Sequence, residues 1–463
     1  MLDTTHYDVI IIGSGQSGGP LARAFAEAGH KTAIIEREHI GGTCINEGCT
    51  PTKTMVASAR VAYLAKRGAD YGVQTGLVSV DMAVVRKRKR DIVESFRDSS
   101  QKRIEATKGL DLLMGEGYFV GPKAIVVRLQ SGEVRQLSAE KIFINVGARP
   151  TIPPIAGIES VPVLNSTTIM ELDTVPDHLV VLGGGYVGLE FAQMFRRFGS
   201  QVTVVQRGTQ LLPREDADIA ENVAAILRED GIEILLKAAA LRVAPAAQGV
   251  EVTVHTPEGE RTLTGSHLLA ATGRTPNSDS LHLDAAGVTA DKRGFIQVND
   301  RLETNVSGIY ALGDVKGGPE FTHISYDDFR IIRTNLLEHG AASIKDRLLL
   351  YTVFIDPQLG RVGLTETEAR QLGRKIKVAN LPMNYVARAL EVDESRGMMK
   401  AIVDAETEQI LGAAVLGIEG GEVMSMLQIA MLGKLPYPVL RDGVFAHPTL
   451  AESLNNLFGS FES

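Results

Sequence analysis

Twice along this chain an apolar run of strand length enters a glycine turn, continues as a helix and returns as a second apolar strand. In the first copy Tyr7 to Ile12 leads into Gly13-Ser14-Gly15-Gln16-Ser17-Gly18, a helix-like stretch from Pro20 to Ala28, then Lys31 to Ile35 and the acid Glu36. In the second, Leu179 to Leu182 leads into Gly183-Gly184-Gly185-Tyr186-Val187-Gly188, a helix through Phe198 and the strand Gln201 to Val205. This order is the dinucleotide-binding βαβ unit. Gly13 makes the tight turn, Gly15 lets the backbone approach a pyrophosphate, and Gly18 lets helix and strand pack closely. The helix N-terminus then faces the phosphates. Gly183, Gly185 and Gly188 hold the same three places in the second copy. Glu36 stands 23 residues beyond Gly13, near the spacing of about 20 expected for an acid that holds ribose hydroxyls. Two units predict an α/β chain that binds two nucleotides, an arrangement suited to electron transfer between cofactors.

The second unit ends on Gln206, where an acid would favour NAD, with Arg207 next and Arg214 further on. A neutral residue beside arginines accommodates a 2′-phosphate better than a carboxylate does. NADPH is therefore the expected nucleotide and NADH the alternative.

Only two cysteines occur, Cys44 and Cys49. A local pair in a reducing compartment points to catalysis, redox sensing or metal binding rather than a structural disulfide. A tetrahedral zinc site needs two more ligands, and no His or further Cys stands beside the pair, so no metal site is expected. The 463 residues allow about three domains, and the net charge of −8 argues against nucleic acid as a principal partner. No signal peptide or bilayer-spanning stretch is read, so a soluble cytoplasmic protein is expected. Arg86-Lys87-Arg88-Lys89-Arg90 reads as a solvated helix face, and Met424, Met426 and Met431 as core.

The segment Gly41-Gly42-Thr43-Cys44-Ile45-Asn46-Glu47-Gly48-Cys49-Thr50-Pro51-Thr52-Lys53 resembles the active-site signature of the class I pyridine nucleotide–disulfide oxidoreductases. These include dihydrolipoamide dehydrogenase, glutathione reductase and mercuric reductase. Ile309-Tyr310-Ala311-Leu312-Gly313-Asp314 resembles the family's second FAD motif, and Ala271-Thr272-Gly273-Arg274 its turn closing the nicotinamide domain. Asn145-Val146-Gly147 stands where the FAD domain has Ala-Thr-Gly, and departs from it. His447-Pro448-Thr449 with Glu452 resembles the dimer-interface motif that carries the catalytic histidine. The fold implied has two Rossmann-like domains, for FAD and NAD(P)H, plus a C-terminal α+β dimerisation domain. Its expected division is 1–150 and 276–347 for FAD, 151–275 for NAD(P)H and 348–463 for the interface.

The resemblance implies a homodimer in which electrons pass from NADPH through FAD to a Cys44–Cys49 disulfide and on to substrate. Cys49 would be the thiol beside the flavin and Cys44 the thiol that attacks substrate, the pair lying on a helical turn near a helix N-terminus that lowers thiolate pKa. His447 would be the general acid–base, oriented by Glu452. Lys53 and Glu190 match a pair near flavin N5, and Tyr186 a residue covering the nicotinamide pocket. Ser17, Thr43, Gly117, Gly147, Arg274, Asp314 and Thr322 are assigned to FAD, and Gly273 to the nicotinamide domain. Arg23 and Arg330 hint at an anionic disulfide, which Glu47, Asp327 and Asp328 would oppose. A small disulfide or sulfur compound is the expected substrate. The alternatives are an NAD-linked dihydrolipoamide dehydrogenase, a mercuric or other metal-ion reductase, and a flavoprotein redox sensor acting through a partner. No cysteine follows Cys49 to form a second relay pair.

Overall fold

A computed structural model describes residues 3–345 and 347–462. The chain divides into two compact units, one formed by Met1–Met55, Val84–Thr151 and Gly273–Arg347, the other by Val56–Ala83, Ile152–Thr272 and Leu348–Ser463.

The first unit is built on β1 (Thr4–Ile12), α1 (Gly18–Glu27) and β2 (Thr32–Glu36). The redox segment follows as α2 (Gly42–Asn46) and the start of α3 (Cys49–Lys66), and then comes the long α4 (Met82–Glu105). β3 (Leu110–Gly121), β4 (Ala124–Leu129) and β5 (Val134–Ile144) complete the sheet with Ile309–Ala311. β1 lies parallel between β2 and β5, β3 flanks β2, and Ile309–Ala311 flanks β5. The far halves of β3 and β5 turn through antiparallel β4. β1 is buried from Val9 to Ile12 because both its faces are covered, as expected of a parallel strand. One core, with Ile10, Ile35 and Ile142, lies on one face, and another, with Leu21, Phe25 and Phe143, lies under α1.

The second unit repeats the parallel plan. Its strands run in the order Glu233–Leu235, Gln201–Val205, His178–Leu182, His267–Ala270 and Val163–Leu164. α5 (Tyr186–Phe198) is the crossover helix, with Leu189, Phe191 and Phe195 buried. The C-terminal part is a five-stranded antiparallel sheet, Leu350–Val353, Gln358–Gly363, Ile410–Gly417, Met398–Asp404 and Ile376–Pro382. The helix Gly420–Leu432 packs tightly on it: a Cβ at Gly360 would lie 2.6 Å from Met424 Cβ. Met424 and Met431 join that core as expected, but Met426, two residues on from Met424, lies on the opposite face of the helix and points outward.

The mixed α/β class with two Rossmann-like parallel sheets and a C-terminal sheet-and-helix domain is therefore present. The basic run is largely solvated as expected, with Lys87, Arg88 and Arg90 exposed, but not throughout. Lys89 is buried, and Arg88 Nη1 donates to the Thr54 carbonyl at 2.8 Å, while Lys87 pairs outward with Asp91. The run spans more than one face of α4, so only part of it can meet solvent.

Candidate active site

The redox segment begins on two glycines with left-handed backbones, Gly41 at φ +103° and Gly42 at φ +64°. A Cβ at Gly42 would lie 2.7 Å from Gly15 Cα, so the segment runs directly over the first glycine turn. Cys44 sits within α2, half-buried, and Cys49 is the first residue of α3, exposed. The pair thus lies across a junction of two helices rather than on one helical turn, because Glu47 breaks the helix at φ −140°. Both sulfurs are unbridged. Cys49 Sγ lies 3.3 Å from Thr322 Oγ1, at the start of the helix Thr322–Leu336. Cys49 also occupies a helix N-terminus, where an anion is favoured. The hydrogen bond to Cys49, burial and the charge of Cys49 push the Cys44 thiol far above the ordinary range, against the pull of Thr322 and Lys53. The expected lowering does not hold for Cys44, because the hydrogen bond to Cys49 and burial outweigh it. Lys53 follows Cys49 by one helical turn and so shares its face.

Around the first glycine turn the packing excludes side chains. A Cβ at Gly13 would lie 2.3 Å from the Asn145 carbonyl, and one at Gly18 would lie 2.0 Å from the Gly13 carbonyl. Gly117 on β3 faces Ile35, a Cβ there meeting its Cδ1 at 3.2 Å. Glu36 accepts from Ser14 N–H at 3.0 Å, Ser14 Oγ at 2.6 Å and Glu38 N–H at 2.9 Å. Ser17 is buried with its hydroxyl on Ser325, so that side chain braces the turn rather than facing a ligand. Thr43 is exposed on α2, its carbonyl taken by Glu47 N–H. Gly147 and Gly273 have positive φ with open space around them, and the strands that follow, Ala148–Pro150 and Arg274–Pro276, pair antiparallel. Burial raises the Asp314 carboxyl despite the nearby Arg274 and Lys316 cations. Arg274 Nε is buried without a hydrogen bond, 3.9 Å from Asp314 and 4.0 Å from Glu320.

Two contacts here escape sequence reasoning. Oriented to satisfy both neighbours, the buried Asn145 amide donates to the Leu312 carbonyl at 3.2 Å and accepts from Gly18 N–H at 3.0 Å. It joins the first glycine turn to the second FAD-like motif, and its departure from Ala-Thr-Gly was the only signal. Asp328 is fully buried, accepting Gly313 N–H at 2.8 Å and pairing with Arg347 and Lys316. Asp327 also pairs with Arg347, at 2.8 Å. The anticipated repulsion of an anionic ligand by these two acids is therefore offset by cations that lie far away in sequence. Arg23 pairs with Glu27 on α1, and Arg330 stands over the Tyr326 ring.

In the second unit the glycine turn has the same construction. A Cβ at Gly183 would lie 2.3 Å from the Ala271 carbonyl and one at Gly188 would lie 2.2 Å from the Gly183 carbonyl, but Gly185 has open space. Gln206 Oε1 accepts from Gly184 N–H at 3.1 Å, and its Nε2 donates to the Gln210 carbonyl. Arg207 and Arg214 are exposed. Tyr186 opens α5, and one turn later the buried Glu190 accepts Phe354 N–H at 2.8 Å. Glu190 lies in the second unit and Lys53 in the first. His447 Nδ1 lies 2.9 Å and 3.1 Å from the two Glu452 oxygens, with the imidazole largely exposed. Among the described residues no three His, Cys, Asp or Glu gather to hold a metal ion, and no helix is long and apolar enough to cross a membrane.

Residues 7–328 match the family model described as pyridine nucleotide-disulphide oxidoreductase, and residues 350–458 match its dimerisation domain. The chain is 41% identical over 456 residues to the probable pyridine nucleotide-disulfide oxidoreductase RclA of Escherichia coli K12, with 98% of each chain covered. It is 34% identical to a mercuric reductase of Lysinibacillus sphaericus, over 98% of this chain and 82% of that one. A solved structure described as the Cu(II) complex of HOCl-induced flavoprotein disulfide reductase RclA from Escherichia coli aligns with a TM-score of 0.89 at 40% identity, over 98% of this chain and 99% of that one. Such proteins use FAD and a pyridine nucleotide. This chain therefore belongs to the pyridine nucleotide-disulphide oxidoreductase family and is a flavoprotein oxidoreductase of that kind.

Proposed function

We propose that this enzyme works as a homodimer that passes electrons from NADPH, through FAD, to the Cys44–Cys49 pair and then to a small disulfide. The observation that carries the reading is the Cys44–Cys49 pair with Thr322 at 3.3 Å from Cys49.

The residues present suit FAD. The turn at Gly13, Gly15 and Gly18 carries no side chain at those three positions, which lets a phosphate approach the backbone, and Glu36 is fixed by Ser14 for ribose hydroxyls. Asp314, raised by burial, and the unpartnered Arg274 Nε are polar groups that a polar ligand would satisfy. Gly117, Gly147 and Thr43 complete that set. FAD, when bound, supplies a two-electron relay between nucleotide and disulfide. Gly183, Gly185 and Gly188 would hold the nucleotide pyrophosphate, Arg207 its 2′-phosphate, and Tyr186 would cover the nicotinamide. Lys53 and Glu190 would set the charge about the reacting ring.

Two electrons open the Cys44–Cys49 bond to the dithiol. His447 takes the Cys44 proton, the resulting thiolate attacks one substrate sulfur, the substrate S–S bond breaks, and the departing thiolate takes that proton from His447. Cys49 then attacks Cys44, expels the second substrate thiol and restores the Cys44–Cys49 bond. With Nδ1 held by Glu452, His447 offers Nε2 for the proton. Its exposure suits action in the partner subunit's site.

Anaerobic titration with NADPH and with NADH, followed by a panel of small disulfides, tests the reading. NADPH should reduce the holoenzyme faster, and at least one disulfide should reoxidise it. Reduced enzyme that reacts with no disulfide would overturn it. A second reading, metal-ion reduction at the same thiols, is favoured by the solved relative described as a Cu(II) complex. NADPH consumption driven by Cu(II) or Hg(II), and not by disulfides, would support that reading.

A further inference from the structure

The basic helix α4 reaches the redox segment from outside. Arg97 Nε donates to Asn46 Oδ1 at 2.8 Å. Asn46 lies between the two cysteines, and its Nδ2 donates to the Ile40 and Gly42 carbonyls, both at 3.0 Å. The amide thereby ties the end of α2 back to its beginning. An amide can sit in two orientations, and swapping O and N here would set its oxygen against two carbonyls. Arg97 offers only N–H donors, so it selects the orientation in which both ties form. Arg88, from the same helix, holds the Thr54 carbonyl just beyond Cys49. Lys89 and Val93, buried between them, anchor the helix.

We infer that Arg97 is a positioning residue that sets the reactivity of the Cys44–Cys49 pair through Asn46. The inference rests on reading those cysteines as the redox pair. A disulfide closes only when its Cα atoms lie about 4.4–6.8 Å apart. The chain between Cys44 and Cys49 governs that separation in the dithiol. Holding it in place raises the effective concentration of one thiol at the other and favours the bridge. Loosening it shifts the equilibrium toward the dithiol.

The test is the midpoint potential of the couple in the full-length protein, equilibrated in dithiothreitol redox buffers, acid-quenched, alkylated and read by mass. Arg97→Gln should weaken the bridge about tenfold, a move of about 30 mV to less negative potential. Arg97→Lys keeps a donor on a looser stem and should give about a threefold effect. In an Asn46→Ala background neither substitution should add anything. A potential within twofold of the unaltered protein, a shift of opposite sign, or additivity with Asn46→Ala would overturn the inference. Should Arg97→Gln not fold, Arg97→Lys with and without Asn46→Ala decides it by the same criteria. If the unaltered protein never forms a Cys44–Cys49 bridge, the redox-pair reading fails instead.

Discussion

Thr322 Oγ1 lies 3.3 Å from Cys49 Sγ, joining residues 273 positions apart. The same hydroxyl favours the Cys44 thiolate, opposing the stronger effects that raise it. Thr322→Val removes that donor, so the Cys44 thiolate fraction falls. Alkylation of Cys44 in the reduced protein at pH 7 should slow by about tenfold or more, the worth of one hydrogen bond to a charged group. Thr322→Ser keeps the donor and should stay near the original rate. Timed iodoacetamide labelling with peptide mapping measures both.

Cys49→Ser should act in the opposite direction. The Cys44 thiol is raised first by its hydrogen bond to Cys49, then by burial and by the charge of Cys49. A raised thiol pKa means little thiolate at neutral pH. Removing the Cys49 sulfur lowers the pKa toward the ordinary value of about 8.5, so alkylation at pH 7 speeds up and its pH midpoint moves down. In holoenzyme reduced by two electrons, the long-wavelength thiolate–flavin band should vanish in Cys49→Ser and persist in Cys44→Ser. A persistent band in Cys49→Ser would reverse the proposed assignment of the two thiols.

Glu452→Gln should separate proton transfer from electron entry. The carboxylate only accepts from His447 Nδ1 and so keeps Nε2 free for the proton, whereas an amide can also donate to Nδ1 and hold the other tautomer. Turnover with a disulfide should fall about ten- to a hundredfold. Reduction of the enzyme by NADPH, followed by stopped flow, should be unchanged because that half-reaction does not call on the proton.

The parts of the fold that follow from local pattern were legible in the sequence. Both glycine turns and their flanking strands obey short-range rules of period, φ and close approach, and α5 ends at Phe198 as read. The site is different, because its decisive contacts join distant segments. Nothing near Thr322 announces Cys49, and nothing near Asp328 announces Arg347. The basic run was misread only in part, since Lys87, Arg88 and Arg90 are exposed as expected. Its charge density suggested solvent, yet Lys89 is buried and Arg88 serves a carbonyl of α3. The Cys44 expectation failed because a helix dipole is read from sequence more easily than the hydrogen bond to Cys49 and the burial that outweigh it.

Gly18→Ala tests the tightness of the first turn. Its Cβ would lie 2.0 Å from the backbone oxygen of Gly13, which cannot swing aside as a flexible side chain would. Overpacking of this order costs about 1–3 kcal/mol and displaces the turn proposed to face the pyrophosphate. The variant should purify with little flavin absorbance and a lower melting temperature. Retention of full flavin content would count against the placement of FAD on α1.

Arg207→Ala addresses nucleotide choice. Arg207 is exposed directly after Gln206, whose amide is already committed to Gly184 and Gln210 and so offers no carboxylate to repel a phosphate. If Arg207 meets the 2′-phosphate, its loss removes a charge-assisted hydrogen bond worth about 1.5–3 kcal/mol. KM for NADPH should then rise about tenfold or more, while kcat and both constants for NADH stay within about twofold, because NADH carries no phosphate for the arginine to hold. The discriminating quantity is the ratio of kcat/KM for the two nucleotides. A fall in both nucleotides together would mean that Arg207 supports the turn rather than reading the phosphate. An unchanged ratio would leave Arg214, also exposed beyond the same strand, as the next residue to replace.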